Sequence, residues 1–368
     1  MSFTADDHRY MARALQLARR GLYTTQPNPR VGCVIVRDGR IVGEGWHERA
    51  GEPHAEVHAL RMTGAAASGA TVYVTLEPCS HYGRTPPCAN ALAQAGVKRV
   101  VVAMVDPNAL VAGKGLQLLR EAGIETISGL LEQEARALNP GFIALMERRR
   151  PFVRLKMAMS LDGRTAMASG ESVWITGAAA RRDVQFLRAQ AGAILAGIDT
   201  VLYDDPSLNV RLTAAELGIA GEVRQPLRVV LDSKLRFPLT AKLLALPGQT
   251  CIYTCNHGAD NIARREQAGA VIRCFEGERL QLPDVMAALA ADGVAEVHAE
   301  TGATLAGALV GQGLADELVI YMAPHLMGSS AAPLFNLPHI ARMQERVPLT
   351  IRDIRAVGAD WRIIASLT

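Results

Sequence analysis

His54, Cys79 and Cys88 are residue types that bind zinc, and Glu56 is a type that moves protons beside a metal. The order is His54-Ala55-Glu56, then Pro78-Cys79, then Cys88. Zinc takes imidazole and thiolate ligands in tetrahedral geometry. Three protein ligands leave a fourth position open to water, which distinguishes a catalytic site from a structural one. A water bound there has its pKa lowered towards neutrality. Glu56 lies close enough in sequence to His54 to take the proton of that water and pass it to a ring nitrogen and departing ammonia. This is the chemistry of the zinc deaminases, whose signature is His-x-Glu followed by Pro-Cys and Cys. His58 and His81 lie nearby and could complete a structural site. The glutamate, and the proline before Cys79, favour catalysis.

The second half of the chain contains no G-x-G-x-x-G, so a Rossmann fold is not indicated. Its glycine-rich run starts at Ala299-Glu300-Thr301-Gly302, following a strand pattern and opening a helix pattern. Amides at such a turn suit phosphate, although a plain strand–helix turn has the same look.

The elements that must carry these residues can be read from periodicity. Met11, Leu15, Ala18 and Leu22 line one face of a first helix. Segments 31–36 and 41–45 form a hairpin around Asp38-Gly39. A helix starts near Pro53 and carries His54, Glu56 and His58. Strands at 71–76, 100–105 and 124–128 alternate with helices at 89–95 and 116–122, and one helix spans 132–145. The pattern restarts at Pro151, with strands at 152–157, 227–231, 251–253, 296–299 and 318–321 and helices at 181–189 and 305–310. A final hairpin turns at Gly358-Ala359-Asp360. Two layered α/β domains follow, 1–148 and 149–368, consistent with a chain of 368 residues.

A hydrophobic share of 49% and a charged share of 20% allow two substantial cores, and a net charge of +3 leaves no basic stripe for nucleic acid. The densest basic run, Arg148-Arg149-Arg150, reads as a solvated linker. No segment is apolar for long enough to span a membrane, and no apolar leader is visible. A reducing, cytoplasmic location is expected. The six cysteines would then be thiols or metal ligands, with Cys33 and Cys274 as buried thiols.

Eight residues, Ser80 to Pro87, separate the two candidate cysteine ligands, where zinc deaminases commonly have Cys-x-x-Cys. The run TLEPCSHYGRTPPC (75–88), with TTQPNPRVGCVIV (24–36) and GEPHAEVHAL (51–60), closely resembles the deaminase of riboflavin biosynthesis. Further on, LKMAMSLDGR (155–164), SVWIT (172–176), AGIDTV (196–201), Asp204-Asp205-Pro206 and Leu231-Asp232-Ser233 resemble the reductase of the same pathway. The resemblance implies a cytidine-deaminase-like α/β domain followed by a dihydrofolate-reductase-like α/β domain, with zinc and NADPH as cofactors. Phosphorylated pyrimidines are the implied substrates. A homodimer is compatible with the family, but no interface is legible.

For the deaminase, the resemblance implies that Asn28, His81 and Arg84 touch substrate. The asparagine amide can both donate and accept, and it also suits an Asn-Pro turn. The other two sit on a loop tethered by both cysteines. In the reductase, Ala158, Trp174, Thr200, Asp204, Ser233 and the turn Gly302, Ala303, Thr304, Leu305, Ala306, Gly307, Ala308 are implied to contact NADPH. Ser172, Arg188, Leu208, Arg211 and Glu300 are implied to contact the ribosyl pyrimidine. The guanidinium groups of Arg188 and Arg211 suit its phosphate. Lys156 and Asp204 are candidates to protonate or polarise the opened sugar. Two rival readings remain: a zinc deaminase for another nucleotide or for nucleic acid, and a zinc-stabilised nucleotide-binding module without turnover.

Overall fold

The computed structural model describes residues 3–80, 87–109 and 111–367. The chain divides into two compact units, Met1–Arg149 with Gly218–Ala220, and Arg150–Leu217 with Gly221–Thr368.

The first unit runs α1 (Ala5–Ala18), β1 (Gly32–Arg37), β2 (Arg40–Trp46), α2 (Ala55–Thr63), β3 (Thr71–Leu76) and α3 (Cys88–Gln94). It continues through β4 (Arg99–Met104), α4 (Lys114–Glu121), β5 (Glu125–Ser128), α5 (Glu132–Leu138) and α6 (Pro140–Arg148). Its sheet has the order β2-β1-β3-β4-β5. The β1–β2 pair is antiparallel, whereas β3, β4 and β5 run parallel. The apolar face of α1 (Met11, Leu15, Leu17) packs on Val34, Val72, Val74 and Val101 in one core.

Two expectations change here. The predicted helix over 132–145 is two helices, because Pro140 has no N–H to continue the first and sits where its fixed φ favours starting the second. His54 is not inside α2 but caps it, with extended backbone. That leaves its ring free to turn away from the helix.

The second unit opens with β6 (Phe152–Ser160), β7 (Arg164–Ala166), α7 (Ala178–Gln190), β8 (Ala193–Gly197), α8 (Ile198–Asp204), α9 (Ala214–Leu217) and β9 (Leu227–Leu231). Next come α10 (Lys242–Ala245), β10 (Thr250–Thr254), α11 (Ala259–Gln267), β11 (Ala270–Cys274), α12 (Leu282–Ala291), β12 (Glu296–Glu300) and α13 (Ala303–Gly311). The last elements are β13 (Glu317–Ala323), β14 (Ala332–Pro333), β15 (Leu349–Val357) and β16 (Asp360–Leu367). The main sheet has the order β11-β10-β9-β8-β12-β6-β13-β16-β15. It is parallel from β11 to β13, and the terminal hairpin adds antiparallel strands. The chain leaves β6 in one direction and later returns to place β12 beside it. Ligands of such sheets bind where the order reverses, at the carboxyl ends of the strands.

Arg150 is not a solvated linker residue. It grips Asp316 with two hydrogen bonds of 2.8 Å, and Asp316 also accepts from the Val153 amide. Cys33 is buried as expected, but Cys274 is exposed, because β11 lies at the edge of the sheet.

Candidate functional site

In the first unit the glycines of β2 set the distance between strand and helix. A Cβ at Gly45 would lie 2.4 Å from the carbonyl oxygen of Ala55, so α2 can rest on β2 only because that side chain is absent. This close approach fixes the end of α2 that bears His54 and Glu56. On the other side, β3 delivers Cys79 and α3 begins with Cys88. The Cys88 amide donates to the Cys79 sulfur at 3.3 Å, and the Ala89 amide to the Cys79 carbonyl at 3.2 Å.

The ligand atoms of His54, Cys79 and Cys88 lie within 4.8 Å of one another. His54 Nδ1 is 3.6 Å from Cys79 Sγ and 3.4 Å from Cys88 Sγ. Zn–N and Zn–S bonds at the tetrahedral angle would place N and S about 3.6 Å apart. The donor set and its spacing fit zinc.

Glu56 is buried in the first turn of α2. Burial pushes its carboxyl up to about 7, against the pull of His54. A carboxyl poised near neutrality can both take and give a proton. The paired thiols are driven apart: Cys88 donates to Cys79, which lowers Cys79 and raises Cys88. A bound cation is what would let both exist as thiolates.

Asn28 reaches the same place. Its Nδ2 lies 3.1 Å from His47 Nε2, and the His47 ring stands edge-on to His54 at 5.5 Å. Nδ1 of His47 is 3.2 Å from the Pro53 carbonyl. His47 is not among the residues that the sequence singles out, since its isolated position shows nothing of this contact. His81 and Arg84 lie outside the described residues.

In the second unit, Lys156 and Ala158 lie on β6, and Ser172 and Trp174 on the segment between β7 and α7. Arg188 is on α7, Thr200 and Asp204 are on α8, and Leu208 and Arg211 follow it. Ser233 follows β9, Glu300 ends β12, and Gly302 caps α13, whose first residues are Ala303, Thr304 and Leu305. The residues that end or follow β8, β9 and β12 share the carboxyl edge of the parallel sheet. Ala306 and Gly307 are buried, and Trp174 is 72% exposed with Arg181 over its ring at 4.6 Å.

Arg188 and Glu300, expected separately as substrate contacts, hold one another at 2.6 and 2.9 Å. Arg188 also donates to the Asn209 carbonyl at 3.1 Å. Burial opposes the charge on Glu300, yet Arg188 and His298 keep it well below the usual carboxylate range. Lys156 pairs with Glu300 in register between β6 and β12. Burial pushes its ammonium down, with Glu300 opposing and Arg188 assisting. The Ser233 hydroxyl accepts from the Leu280 amide at 3.1 Å, and Arg236 is held by Asp199 at 2.8 Å.

These two sites have counterparts among known proteins. Residues 4–104 match the cytidine and deoxycytidylate deaminase zinc-binding region, and residues 151–363 match the RibD C-terminal domain. The chain is 50% identical over 359 residues to the riboflavin biosynthesis protein RibD of Escherichia coli K12, covering 96% of this chain and 97% of that protein. The chain belongs to the RibD family. A solved structure of Acinetobacter baumannii RibD superposes with a TM-score of 0.90 at 47% identity, over 99% of both chains. A Thermotoga maritima structure, described as a diaminohydroxyphosphoribosylaminopyrimidine deaminase/5-amino-6-(5-phosphoribosylamino)uracil reductase, does so at 0.87 and 31%, over 99% of both chains. As a RibD protein, the chain is a bifunctional enzyme of riboflavin biosynthesis, a deaminase and reductase that uses zinc and NADPH. No helix among the described residues is long and apolar enough to cross a membrane.

Proposed function

We propose that residues 1–148 remove the 2-amino group of 2,5-diamino-6-ribosylamino-4(3H)-pyrimidinone 5′-phosphate as ammonia. Residues 149–368 then reduce the ribosyl chain of 5-amino-6-(5-phosphoribosylamino)uracil to the ribityl form. The observation that carries this reading is the convergence of His54, Cys79 and Cys88 beside the buried carboxyl of Glu56.

In the first site His54, Cys79 and Cys88 would hold zinc, which would supply an acidified water. Glu56 takes the first proton of the water and passes it to the ring nitrogen, then takes the second from the hydroxyl formed on the ring carbon and gives it to the amino group, which leaves as ammonia. Asn28, steadied by His47, uses its amide oxygen to orient the pyrimidine. His81 and Arg84 bind the ribose phosphate.

In the second site NADPH supplies the hydride. Ala158, Trp174, Thr200, Asp204, Ser233 and residues 302–308 position the cofactor, with the first amides of α13 facing its phosphates. Ser172, Leu208, Arg211 and the Arg188–Glu300 pair seat the substrate. Lys156 and Asp204 bring a proton to the sugar as it opens. A homodimer through the exposed apolar face of β15 and β16 (Leu349, Ile351, Ile354, Trp361) is part of this reading. So is a cytoplasmic location, suited to a chain in which none of the six cysteines forms a disulfide.

The test follows ammonia release and NADPH oxidation together, in wild type and Glu56→Gln, with each pyrimidine in turn. Wild type should do both reactions, and the variant should oxidise NADPH only when given the deaminated intermediate. A wild-type chain that releases no ammonia and oxidises no NADPH with either pyrimidine would overturn the assignment.

A further inference from the structure

Glu77 is a buried carboxyl, 4% exposed, that no step above uses. It stands between the end of β3 and the Pro78-Cys79 pair. Its Oε2 accepts the amides of Asp106 at 3.1 Å and Gly113 at 2.9 Å, and its Oε1 those of Gly115 at 2.9 Å and Leu116 at 3.2 Å. Gly113 caps α4, and Gly115 and Leu116 lie in its first turn, so these are amides that a helix start leaves without partners. The Glu77 amide itself donates to Met104 at 3.0 Å.

The packing is as close as the hydrogen bonding. A Cβ at Gly115 would lie 2.0 Å from the Pro78 carbonyl oxygen. The segment before Cys79 is therefore locked to the start of α4, while Cys88 and Ala89 hold Cys79 from the other side.

We propose that Glu77 is a positioning residue of the metal site. By gathering amides from residues 106–116 it fixes the backbone of Pro78-Cys79, and so the direction of the Cys79 sulfur. The proposal rests on the reading of His54, Cys79 and Cys88 as zinc ligands. Glutamine has the size of glutamate, but one of its two ends is a donor. Glu77→Gln would therefore set an NH2 group against amide donors in a buried place, where polar groups left unpaired are costly. The segment must shift to relieve this.

The test uses the full chain, with its reductase activity as an internal control. Zinc is titrated away with a chelating dye, and the cobalt-substituted protein is examined for its thiolate and ligand-field bands. Groups that orient metal ligands typically contribute about ten- to a hundredfold to affinity or activity. Glu77→Gln should release zinc about tenfold more readily, shift the cobalt bands, and lower deaminase kcat by about tenfold with little change in KM. NADPH oxidation with the deaminated intermediate should stay at the wild-type level. Leu17→Ala, a core truncation in α1 of the same unit, is the comparison for lost stability alone and should keep the zinc affinity and cobalt spectrum of wild type. A Glu77→Gln protein with wild-type zinc retention and spectrum would overturn the proposal, as would equal zinc loss in both variants. A wild-type chain that binds no zinc would overturn the ligand reading instead, and this proposal with it.

Discussion

Arg188 and Glu300 are 112 residues apart in sequence and are joined by two hydrogen bonds with their side chains only 9% and 14% exposed. A buried pair of this kind contributes little net stability against an apolar replacement, but removing one partner strands the other's charge, at about 3–5 kcal/mol. Arg188→Met should therefore lower the unfolding temperature of the reductase unit and abolish NADPH oxidation. Arg188→Met with Glu300→Gln should cost less than the two single changes added together. Calorimetry on the four proteins decides it. Strict additivity would mean that the two groups act independently.

Gly45 sets the seat of α2. Adding a methyl there forces α2 away from the Ala55 carbonyl, which its Cβ would meet at 2.4 Å. Overpacking of this sort costs about 1–3 kcal/mol, and here the displaced helix carries Glu56 and is capped by His54. Gly45→Ala should reduce ammonia release by about tenfold or more, since a small misplacement of a catalytic group has large kinetic consequences. NADPH oxidation should not change. Full deaminase activity in Gly45→Ala would show that α2 tolerates the shift.

The metal motif could be read from the sequence because its residues are chemically distinctive and lie in short runs. Glu77 could not, since its partners are backbone amides of residues 106–116 and amides have no sequence signature. The Arg188–Glu300 pair could be read as two useful residues but not as a couple, because only the adjacency of α7 to the end of β12 joins them. Strands β10 and β13 showed clear apolar runs, whereas β6, β9 and β12 were legible with charged residues among their apolar ones. β11 was missed because Ala270–Cys274 is an edge strand with mixed burial. Arg150 looked like part of a charged linker because its partner Asp316 is supplied from the other end of the unit.

Asp7 gives the first unit a pH signature. It caps α1 with Thr4, accepts from the Tyr73 hydroxyl at 2.7 Å, and pairs with Arg99 at 2.9 Å. Burial alone would raise its pKa, but these hydrogen bonds hold it at about 2, below the ordinary 3.8. A folded-state pKa below the unfolded one adds stability above the unfolded value, and that stability is lost as pH falls through the folded value. The shift corresponds to on the order of 2 kcal/mol. Asp7→Asn should be less stable than wild type by about that amount at pH 7, and the two should converge as pH approaches about 2. Calorimetric scans across this range test it, and a gap independent of pH would rule out the ionic origin.

Gly307 tests where the cofactor lies. It is buried in α13, where a Cβ would come 1.9 Å from the carbonyl oxygen of Asn336. The same asparagine's amide donates to the Ala303 carbonyl at 3.0 Å, so the helix start and the segment around Asn336 move together. Gly307→Ala should push them apart and misdirect the first amides of α13. If those amides bind the phosphates of NADPH, the penalty falls on cofactor binding more than on chemistry. The KM for NADPH should rise about tenfold, equivalent to about 1.4 kcal/mol, with a smaller fall in kcat and no change in ammonia release. Steady-state rates at varied NADPH separate the two parameters. An unchanged KM with a collapsed kcat would place the cofactor phosphates elsewhere and leave α13 a supporting role in the sheet's packing.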